Sequence, residues 1–246
     1  MLNRLVLISI AFLTLGLISS SVLARDNKIQ EIQDRGVLRA CLAESIPNNF
    51  KDPKDGKWKG FNPDLGYEIA KEMGVKIEWV DATWATIIPS VITDKCDMAL
   101  VGLFRLAKRA RVILFANAFT VTTLSAAVPK GSSIDTYEAL DDPNVSIALI
   151  SGTAEESYVK SGWKSNVKSL VTDKVSSMFL EVASGRADAT VTDTVTLRNF
   201  LKQNPSLKLR ELSAPPIVPR GSAWAVAPGE YHFQQYLNVF LERAET

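Results

Sequence analysis

The stretch FNPDLGYEIAKEMGVKIEWV (residues 61–80) decides the fold class, because a helix pattern is followed directly by a strand pattern. Its first part predicts a helix over residues 62–74, with Asn62 as the N-cap and Gly74 just past the end. Residues 75–82 then alternate apolar and polar side chains, as in a half-exposed strand. A helix followed by a strand in this way is the unit from which α/β proteins are built.

The same order of patterns repeats and predicts two α/β units. Buried strands are predicted at 36–43 and 97–102 in the first unit, and at 145–152 and 187–193 in the second. A long β-rich passage, 117–131, lies between them. Two units joined by extended crossings suggest two lobes with a cleft, and open α/β sheets bind ligands beyond the carboxyl ends of their strands. The segments that leave strand ends are therefore candidates for ligand contact: 43–49, 102–109, 151–154 and Asp193.

Composition excludes several classes of function. The chain has 28 basic and 27 acidic residues, and this balance argues against nucleic-acid binding, which normally needs a basic excess. His232 is the single histidine, so His-based metal sites are excluded and Ser-His or Cys-His catalysis is nearly impossible. Neither of the common glycine-rich phosphate-binding motifs occurs. We expect no metal, no cofactor and no nucleic-acid partner.

The N-terminus predicts export. MLNRLVLISIAFLTLGLISSSVLA (residues 1–24) has one cation, an apolar run from Leu5 to Ile18 and small residues before Ala24, as in a signal peptide cleaved after Ala24. A transmembrane anchor is the alternative, but the apolar run is shorter than the roughly 20 residues that span a bilayer.

Several motifs in order resemble one family, the extracellular solute-binding proteins of family 3, which are amino-acid-binding receptors of ABC importers. The resemblance covers nearly all of 33–246, and the stretches that carry it are RGVLRAC (35–41), GKWKGFNPDLGYEIAKEMGVKIEWV (56–80), ATWATIIPSVITDKCDMAL (82–100), GLFRLAKRARVILFANAF (102–119), SGTAEES (151–157) and GRADATVTD (185–193).

The family resemblance implies a type II periplasmic-binding-protein-like α/β fold. Each lobe is expected to hold a mostly parallel sheet flanked by helices. The family normally continues past Thr246 with another helix, so the C-terminal helical part is expected to be truncated. The implied division is a signal peptide at 1–24, lobe 1 at 25–119 plus 217–246, lobe 2 at 120–216, and hinge crossings near 119–126 and 212–219.

The resemblance also singles out residues for an amino-acid ligand. Four cations lie in VGLFRLAKRARV (101–112), and only Arg109 matches the family arginine that pairs with the ligand carboxylate. Arg105, Lys108 and Arg111 are expected to be surface charges.

From the second lobe, Thr153 at a predicted helix start is expected to help bind the carboxylate, and Asp193 to pair with the ligand ammonium. Plain helix capping is the alternative interpretation of both residues.

Further ligand contacts follow from the same resemblance. Gly102 matches a position whose carbonyl accepts from the ammonium, and Phe104 one whose N–H donates to the carboxylate. Trp84 is expected to stack on the ligand, with plain core packing as the alternative. Asn49, with Asn48, is expected to face the cleft where the family often has aromatic groups.

Ala43 stands where an acid is frequent, which favours a polar neutral ligand over a strongly cationic one.

The two cysteines are expected to be free, buried thiols. Cys41 lies late in the first strand and Cys96 just before a parallel neighbour, so matched strand starts place them roughly 13 Å apart. A disulfide needs Cα atoms within about 7 Å.

The leading hypothesis is a monomeric periplasmic receptor that delivers a small zwitterionic solute to an inner-membrane ABC permease, without enzymatic activity. One alternative is a cyclohexadienyl (prephenate/arogenate) dehydratase-like enzyme on the same fold, with Glu44 and Glu155 as the acids near the cleft. A non-transporting sensory receptor is the other.

Overall fold

A computed structural model describes residues 27–172 and 174–244 of the protein. The predicted signal peptide at residues 1–24, its cleavage site and the chain end at Thr246 lie outside the described residues. Within the described part, no helix is both long and apolar enough to cross a membrane.

Strands and helices alternate along most of the chain. The strands are β1 (Val37–Leu42), β2 (Phe50–Lys51), β3 (Trp58–Lys59), β4 (Lys76–Asp81), β5 (Met98–Phe104), β6 (Leu114–Phe115), β7 (Thr120–Pro129), β8 (Ser146–Ile150), β9 (Asn166–Leu170), β10 (Ala189–Asp193), β11 (Leu209–Glu211) and β12 (Ile217–Val226). The helices are α1 (Lys28–Arg35), α2 (Phe61–Met73), α3 (Ile87–Ile92), α4 (Ala107–Ala110), α5 (Tyr137–Leu140), α6 (Ala154–Gly162), α7 (Ser176–Ala183), α8 (Thr194–Gln203) and α9 (Tyr231–Ala244), with a 3-10 turn at Pro205–Leu207.

Ten of the described strands form one sheet with a parallel set at each end. Its order is β4-β1-β5-β12-β7-β10-β8-β9, with β6 on β12 and β11 on β7. The strands β4, β1 and β5 are parallel, as are β10, β8 and β9. The long strands β12 and β7 pair antiparallel with each other and join the two sets. The chain therefore passes twice between the two sets, once through β7 and once through β12.

Separate apolar cores support the two parallel sets. One core contains buried residues from Ile32 to Ala116 and from Ala223 to Leu241. The other two apolar clusters take their residues from Leu124 to Leu212, joined by Phe104 of β5. We call β4, β1 and β5 with their core the first part of the molecule, and β10, β8 and β9 with their cores the second part. The predicted lobe boundaries remain predictions, because β7 and β12 run through both parts.

The helix α2 begins earlier than the sequence indicates. Its N-cap is Gly60, whereas Asn62 was the expected cap. The Asn62 amide lies buried inside the first turn, where it donates to Asn49 and accepts from Trp224. The end of α2 at Gly74 agrees with the prediction. The Asn62 side chain, which local sequence assigns to helix capping, therefore takes part in a tertiary hydrogen-bond network instead.

The prediction of two free thiols is wrong. Cys41 and Cys96 form a disulfide, with their Cα atoms 5.7 Å apart. Cys41 lies opposite Ala99 in the β1–β5 register, and residues 95–97 form a bend instead of extending β5 backwards. The bend is tied to β1 because Asp97 N donates to the carbonyl of Arg39 at 2.8 Å. Extrapolating an extended strand through this bend therefore overestimated the separation.

Candidate functional site

A cavity of about 320 Å³ lies where the carboxyl ends of both parallel sets meet. Residues at or just beyond the ends of β1, β5, β8 and β10 line it, as expected for ligand sites of open α/β sheets. Six of the seven predicted contact residues are in the lining: Trp84, Gly102, Phe104, Arg109, Thr153 and Asp193.

Arg109 lies in the short helix α4 and is only 6% exposed. Its guanidinium donates to the carbonyl of Phe104 at 3.3 Å and to that of Gly152, across the cavity, at 3.0 Å. Burial lowers the pKa of Arg109, while the nearby charge of Glu155 acts in the opposite direction. A guanidinium has five N–H donors, so donors remain for a further acceptor.

The neighbouring cations of the cluster have a different environment. Arg105, Lys108 and Arg111 are exposed, which confirms the expectation that they are surface charges. Lys108 reaches across to the hydroxyl of Ser157 on α6. The cluster therefore contains a buried guanidinium among solvated neighbours.

Asp193 caps a helix and also lines the cavity. It ends β10, and its Oδ1 accepts from Thr196 N at 2.9 Å at the start of α8. Burial raises the pKa of Asp193, opposed by its hydrogen bonds with Thr196 and with the backbone of Val195. The capping and cavity-facing interpretations are therefore compatible in this residue.

Thr153, like Asp193, both caps a helix and lines the cavity, in this case at the start of α6. Its hydroxyl donates to the carbonyl of Ile150 at 2.8 Å and accepts from Glu156 N at 3.2 Å. Since both bonds are made within the cap, the hydroxyl mainly holds the helix start at the cavity edge.

Glu155 also lines the cavity; it was not among the predicted ligand contacts but was expected near the cleft as an acid of the dehydratase alternative. It lies in the first turn of α6, where an acid is favoured by the helix dipole. Burial, with a contribution from the charge of Asp193, raises the pKa of Glu155 to about 7, against the lowering effect of its own backbone N–H, Arg109 and Thr153. The signal in the sequence was an acid two residues after the predicted helix cap.

Glu44 and Trp84 join the two parts of the molecule at the cavity. Glu44 follows β1, and its Oε2 accepts from Val175 N at 2.6 Å at the start of α7. Its carbonyl accepts from the indole N–H of Trp84 at 3.0 Å. The Trp84 side chain packs against a core of each part. Its predicted stacking on a ligand remains a prediction.

Asn49 is placed differently from the expectation and does not line the cavity. It is fully buried; its amide donates to the carbonyl of Ala43, and its Oδ1 accepts from Asn62 at 2.7 Å. The hydrogen-bond chain continues to the indole of Trp224, which donates to Asn62 at 2.9 Å. Asn48 lines the cavity instead. Asn48 lies in the turn at residues 46–48, whereas Asn49 directly after it pairs with Ser45 in an isolated β-bridge, and the two side chains therefore have different surroundings.

Gly102 and Phe104 lie two residues apart on β5 and both line the cavity, as the period of a strand requires. The nearest neighbours of a side chain at Gly102 would be Ser222 at 3.4 Å and Phe119 at 3.7 Å. The Phe104 carbonyl helps to hold Arg109.

The two parts of the molecule touch each other around the cavity. Gly152 has a φ of +83°, and a Cβ atom there would lie 2.4 Å from the Cα of Ala85. The hydroxyl of Thr196 donates to the carbonyl of Ile46 at 3.1 Å. These contacts, with the Arg109–Gly152 bond, describe a closed arrangement of the two parts.

A group of three acidic residues lies away from the cavity, in the first part of the molecule. Glu31, Asp94 and Asp97 have carboxylate oxygens within 4.8 Å of one another. Each of them forms a salt bridge with at least one of Lys28, Arg35 and Arg39. Their charge is therefore already balanced by protein cations.

Comparison with known proteins identifies the family. Residues 38–246 match the family of bacterial extracellular solute-binding proteins, family 3. Cyclohexadienyl dehydratase of Pseudomonas aeruginosa is 25% identical over 93% of this chain and 85% of its own length. The lysine/arginine/ornithine-binding periplasmic protein of Escherichia coli is 32% identical over 64% of this chain and 60% of its own length.

Solved structures of similar fold support the same family assignment. Holo ArgBP from T. maritima has a TM-score of 0.81 at 30% identity, covering 88% of this chain and 94% of that one. The ancestral amino-acid-binding protein AncCDT-1, a precursor of cyclohexadienyl dehydratase, has a TM-score of 0.77 at 29% identity, covering 89% and 93%. The chain belongs to the family 3 solute-binding proteins and has their two-lobed α/β fold, which confirms both the resemblance and the predicted fold class.

Proposed function

We propose, on the premise that this chain is a family 3 solute-binding protein, that it captures a free α-amino acid between its lobes for import. One observation carries the proposal: Arg109, in the helix that follows β5, and Asp193, at the end of β10, line the same cavity of about 320 Å³ although they belong to different parallel sets. The ligand carboxylate would accept from Arg109 and its ammonium would donate to Asp193. Gly102, Phe104, Thr153 and Trp84 would surround these groups.

The energetics favour closure around such a ligand. Arg109 is 6% exposed, and its two protein acceptors are neutral carbonyls. A buried charge is costly unless a counter-charge accompanies it, and a ligand carboxylate supplies one. Because Arg109 and Asp193 come from different lobes, both ends of the ligand are bound only when the lobes are together. Binding therefore shifts the open–closed equilibrium toward the closed form.

The relatives support transport as the purpose of binding. Among them are periplasmic proteins named for lysine, arginine and ornithine, for histidine and for arginine. We infer that this chain is periplasmic, that it hands its ligand to an ABC permease of the inner membrane, and that it has no enzymatic activity.

A binding assay on matched arginine variants tests the proposal. Wild type, Arg109→Met and Arg111→Met are titrated calorimetrically with the twenty common amino acids. Arg109→Met should lose at least 30-fold in affinity, since truncating one partner of a buried charge pair removes about 2 kcal/mol or more. Arg111→Met, at an exposed position of the same cluster, should bind like wild type. Equal affinities for the two variants, or no binding of any amino acid by wild type, would refute the proposal.

A dehydratase is the second candidate, because Glu155 lines the cavity with a pKa of about 7. Such a carboxyl is partly protonated at neutral pH and suits a general acid. In prephenate dehydration its proton would join the departing hydroxide as water while the ring carboxylate leaves as CO₂, giving phenylpyruvate. Incubation with prephenate distinguishes the two functions: phenylpyruvate formed by wild type and lost in Glu155→Gln would favour the enzyme, and its absence favours the receptor.

A further inference from the structure

A second, smaller cavity lies next to the main one and between the two parts of the molecule. Its volume is about 40 Å³, and its lining contains Glu44, Lys51, Trp58, Asp81 and Ala82 of the first part and Lys174 of the second. Glu44 also lines the main cavity. Charged side chains of both signs, from both parts, therefore meet at this place.

The small cavity lies where the two ends of the sheet order meet. That order begins with β4 and ends with β9, and the strands β12 and β7, through which the chain passes between the parts, lie in its middle. Asp81 ends β4, and Lys174 follows β9 on the way to α7. A rotation of the parts about the middle strands separates the ends of the sheet the most, so contacts here respond strongly to opening of the cleft.

The backbone next to Lys174 is bonded to the first part. Val175 is buried, and its N–H donates to Glu44 Oε2 at 2.6 Å at the start of α7. A carboxylate is a favourable acceptor there, because it is charged and faces the positive end of the helix dipole. Glu44 has a further partner besides Val175. The bond holds the residue after Lys174 against the first part in the closed arrangement.

The side chain of Lys174 acts on Asp81 across the small cavity. Asp81 accepts from the indole N–H of Trp58 at 2.9 Å and from the ammonium of Lys51, both in its own part. Burial acts to raise the pKa of Asp81, but these two bonds and the charges of Lys51 and Lys174 lower it below its usual value. Because the Asp81 side chain is 61% exposed and already bonded to Lys51, the attraction of Lys174 should have the modest strength of an exposed ion pair.

We propose that Lys174 forms a latch at the outer mouth of the cleft, in which its ammonium attracts Asp81 while the neighbouring Val175 N–H is bonded to Glu44. The latch holds the two parts together by contacts of the protein alone and does not depend on the identity of a ligand. It deepens the proposed receptor function, because it assigns residues to the closure on which that function rests. Removing the charge of Lys174 should therefore shift the open–closed equilibrium toward the open form.

Distances between two spin labels test the latch. Wild type, Lys174→Met and Lys164→Met carry labels at the exposed positions Lys71 and Lys202, one on each part, and are measured without added amino acid and with the common amino acid that wild type binds. The ratio of closed to open molecules should fall roughly two- to fivefold in Lys174→Met, as for an exposed ion pair. It should stay unchanged in Lys164→Met, at an exposed position of the second part. At about 1 M NaCl the difference should disappear, because charges are then screened beyond about 3 Å.

A double-mutant cycle identifies the partner of Lys174. Asp81→Asn keeps an oxygen that can accept from the indole of Trp58 and removes the charge. In the Asp81→Asn background, Lys174→Met should change the closed-to-open ratio less than half as much as in the wild-type background. An equal change in both backgrounds would exclude Asp81 as the partner and overturn the latch.

The outcomes separate the latch from the receptor function. Equal closed-to-open ratios in Lys174→Met and Lys164→Met, or a difference that high salt does not reduce, overturn the latch but leave the receptor function intact. Long label distances in wild type both with and without amino acid overturn the latch as well. If no common amino acid binds to correctly folded wild type, the receptor function fails, while the measurement without amino acid still decides the latch.

Discussion

Replacing Gly152 by alanine should separate lobe closure from folding. Gly152 lies at the interface between the lobes with a φ of +83°, and a Cβ atom there would be 2.4 Å from Ala85 Cα and 2.7 Å from the carbonyl oxygen of Trp84. Both atoms belong to backbone, so no side-chain rotation can relieve the overlap. The substitution therefore acts on the closed form, whereas the open form carries only the backbone strain.

The expected loss of ligand affinity in Gly152→Ala depends on two energy contributions, backbone strain and steric overlap. An alanine in the left-handed region costs about 1 kcal/mol in either form. Restoring an ordinary contact of 3.4 Å also requires the two backbones to separate by about 1 Å more in the closed form. The bond from Arg109 to Gly152 O, now 3.0 Å, would then exceed hydrogen-bonding distance, and a bond from a charged donor contributes roughly 2–3 kcal/mol. We expect ligand affinity to fall roughly 30- to 160-fold.

Gly74→Ala is the matched control, because Gly74 has a φ of +70° and nothing within 4 Å of a Cβ atom. Both variants should melt about 2–4 °C lower than wild type, but only Gly152→Ala should bind weakly, in calorimetry, the amino acid that wild type binds. Spin labels at exposed positions Lys71 and Lys202, on different lobes, should show a longer distance in Gly152→Ala with that amino acid present. Equal affinity and equal label distances in the two variants would refute the steric reasoning.

Three further perturbations test other parts of the structure. Replacing Cys41 and Cys96 by alanine should lower the free energy of unfolding by about 4 kcal/mol for their separation of 55 residues, measured by guanidinium denaturation; a change under 1 kcal/mol would contradict this. Asn62→Leu should cost roughly 2–4 kcal/mol in the same assay, because it leaves the buried indole N–H of Trp224 without its acceptor. The folded chain keeps the Glu155 proton up to pH about 7, whereas the unfolded chain loses it near pH 4.5. As the pH rises from 4.5 to 7, the free energy of unfolding of wild type should therefore fall by up to about 3 kcal/mol relative to that of Glu155→Gln. Parallel stability curves for those two proteins over this range would exclude the raised pKa.

Local sequence predicted the main parallel strands and the helix α2, and the family motifs added six residues of the cavity lining. Strand ends in a parallel sheet point to one edge, so Gly102, Phe104 and Asp193 could be placed there from apolar periodicity together with the family motifs. The choice of Arg109 among four nearby cations came from the motif alone, since charge and spacing do not distinguish a buried arginine from an exposed one. Its burial and its contact with Gly152 O are properties of the folded molecule.

Tertiary structure decided the features that depend on segments distant in the chain. Whether Cys41 meets Cys96 depends on a bend at residues 95–97, and whether Asn49 faces the ligand or the core depends on its bonds with the carbonyl of Ala43 and with Asn62. Glu44 was expected near the cleft, but its hydrogen bond with Val175 N, 131 residues further along the chain, is a property of the folded molecule. The physical reason is the same in each case: periodicity reports which side of an element is buried, but hydrogen-bond partners and charge balance in a cavity arise only when distant elements pack together.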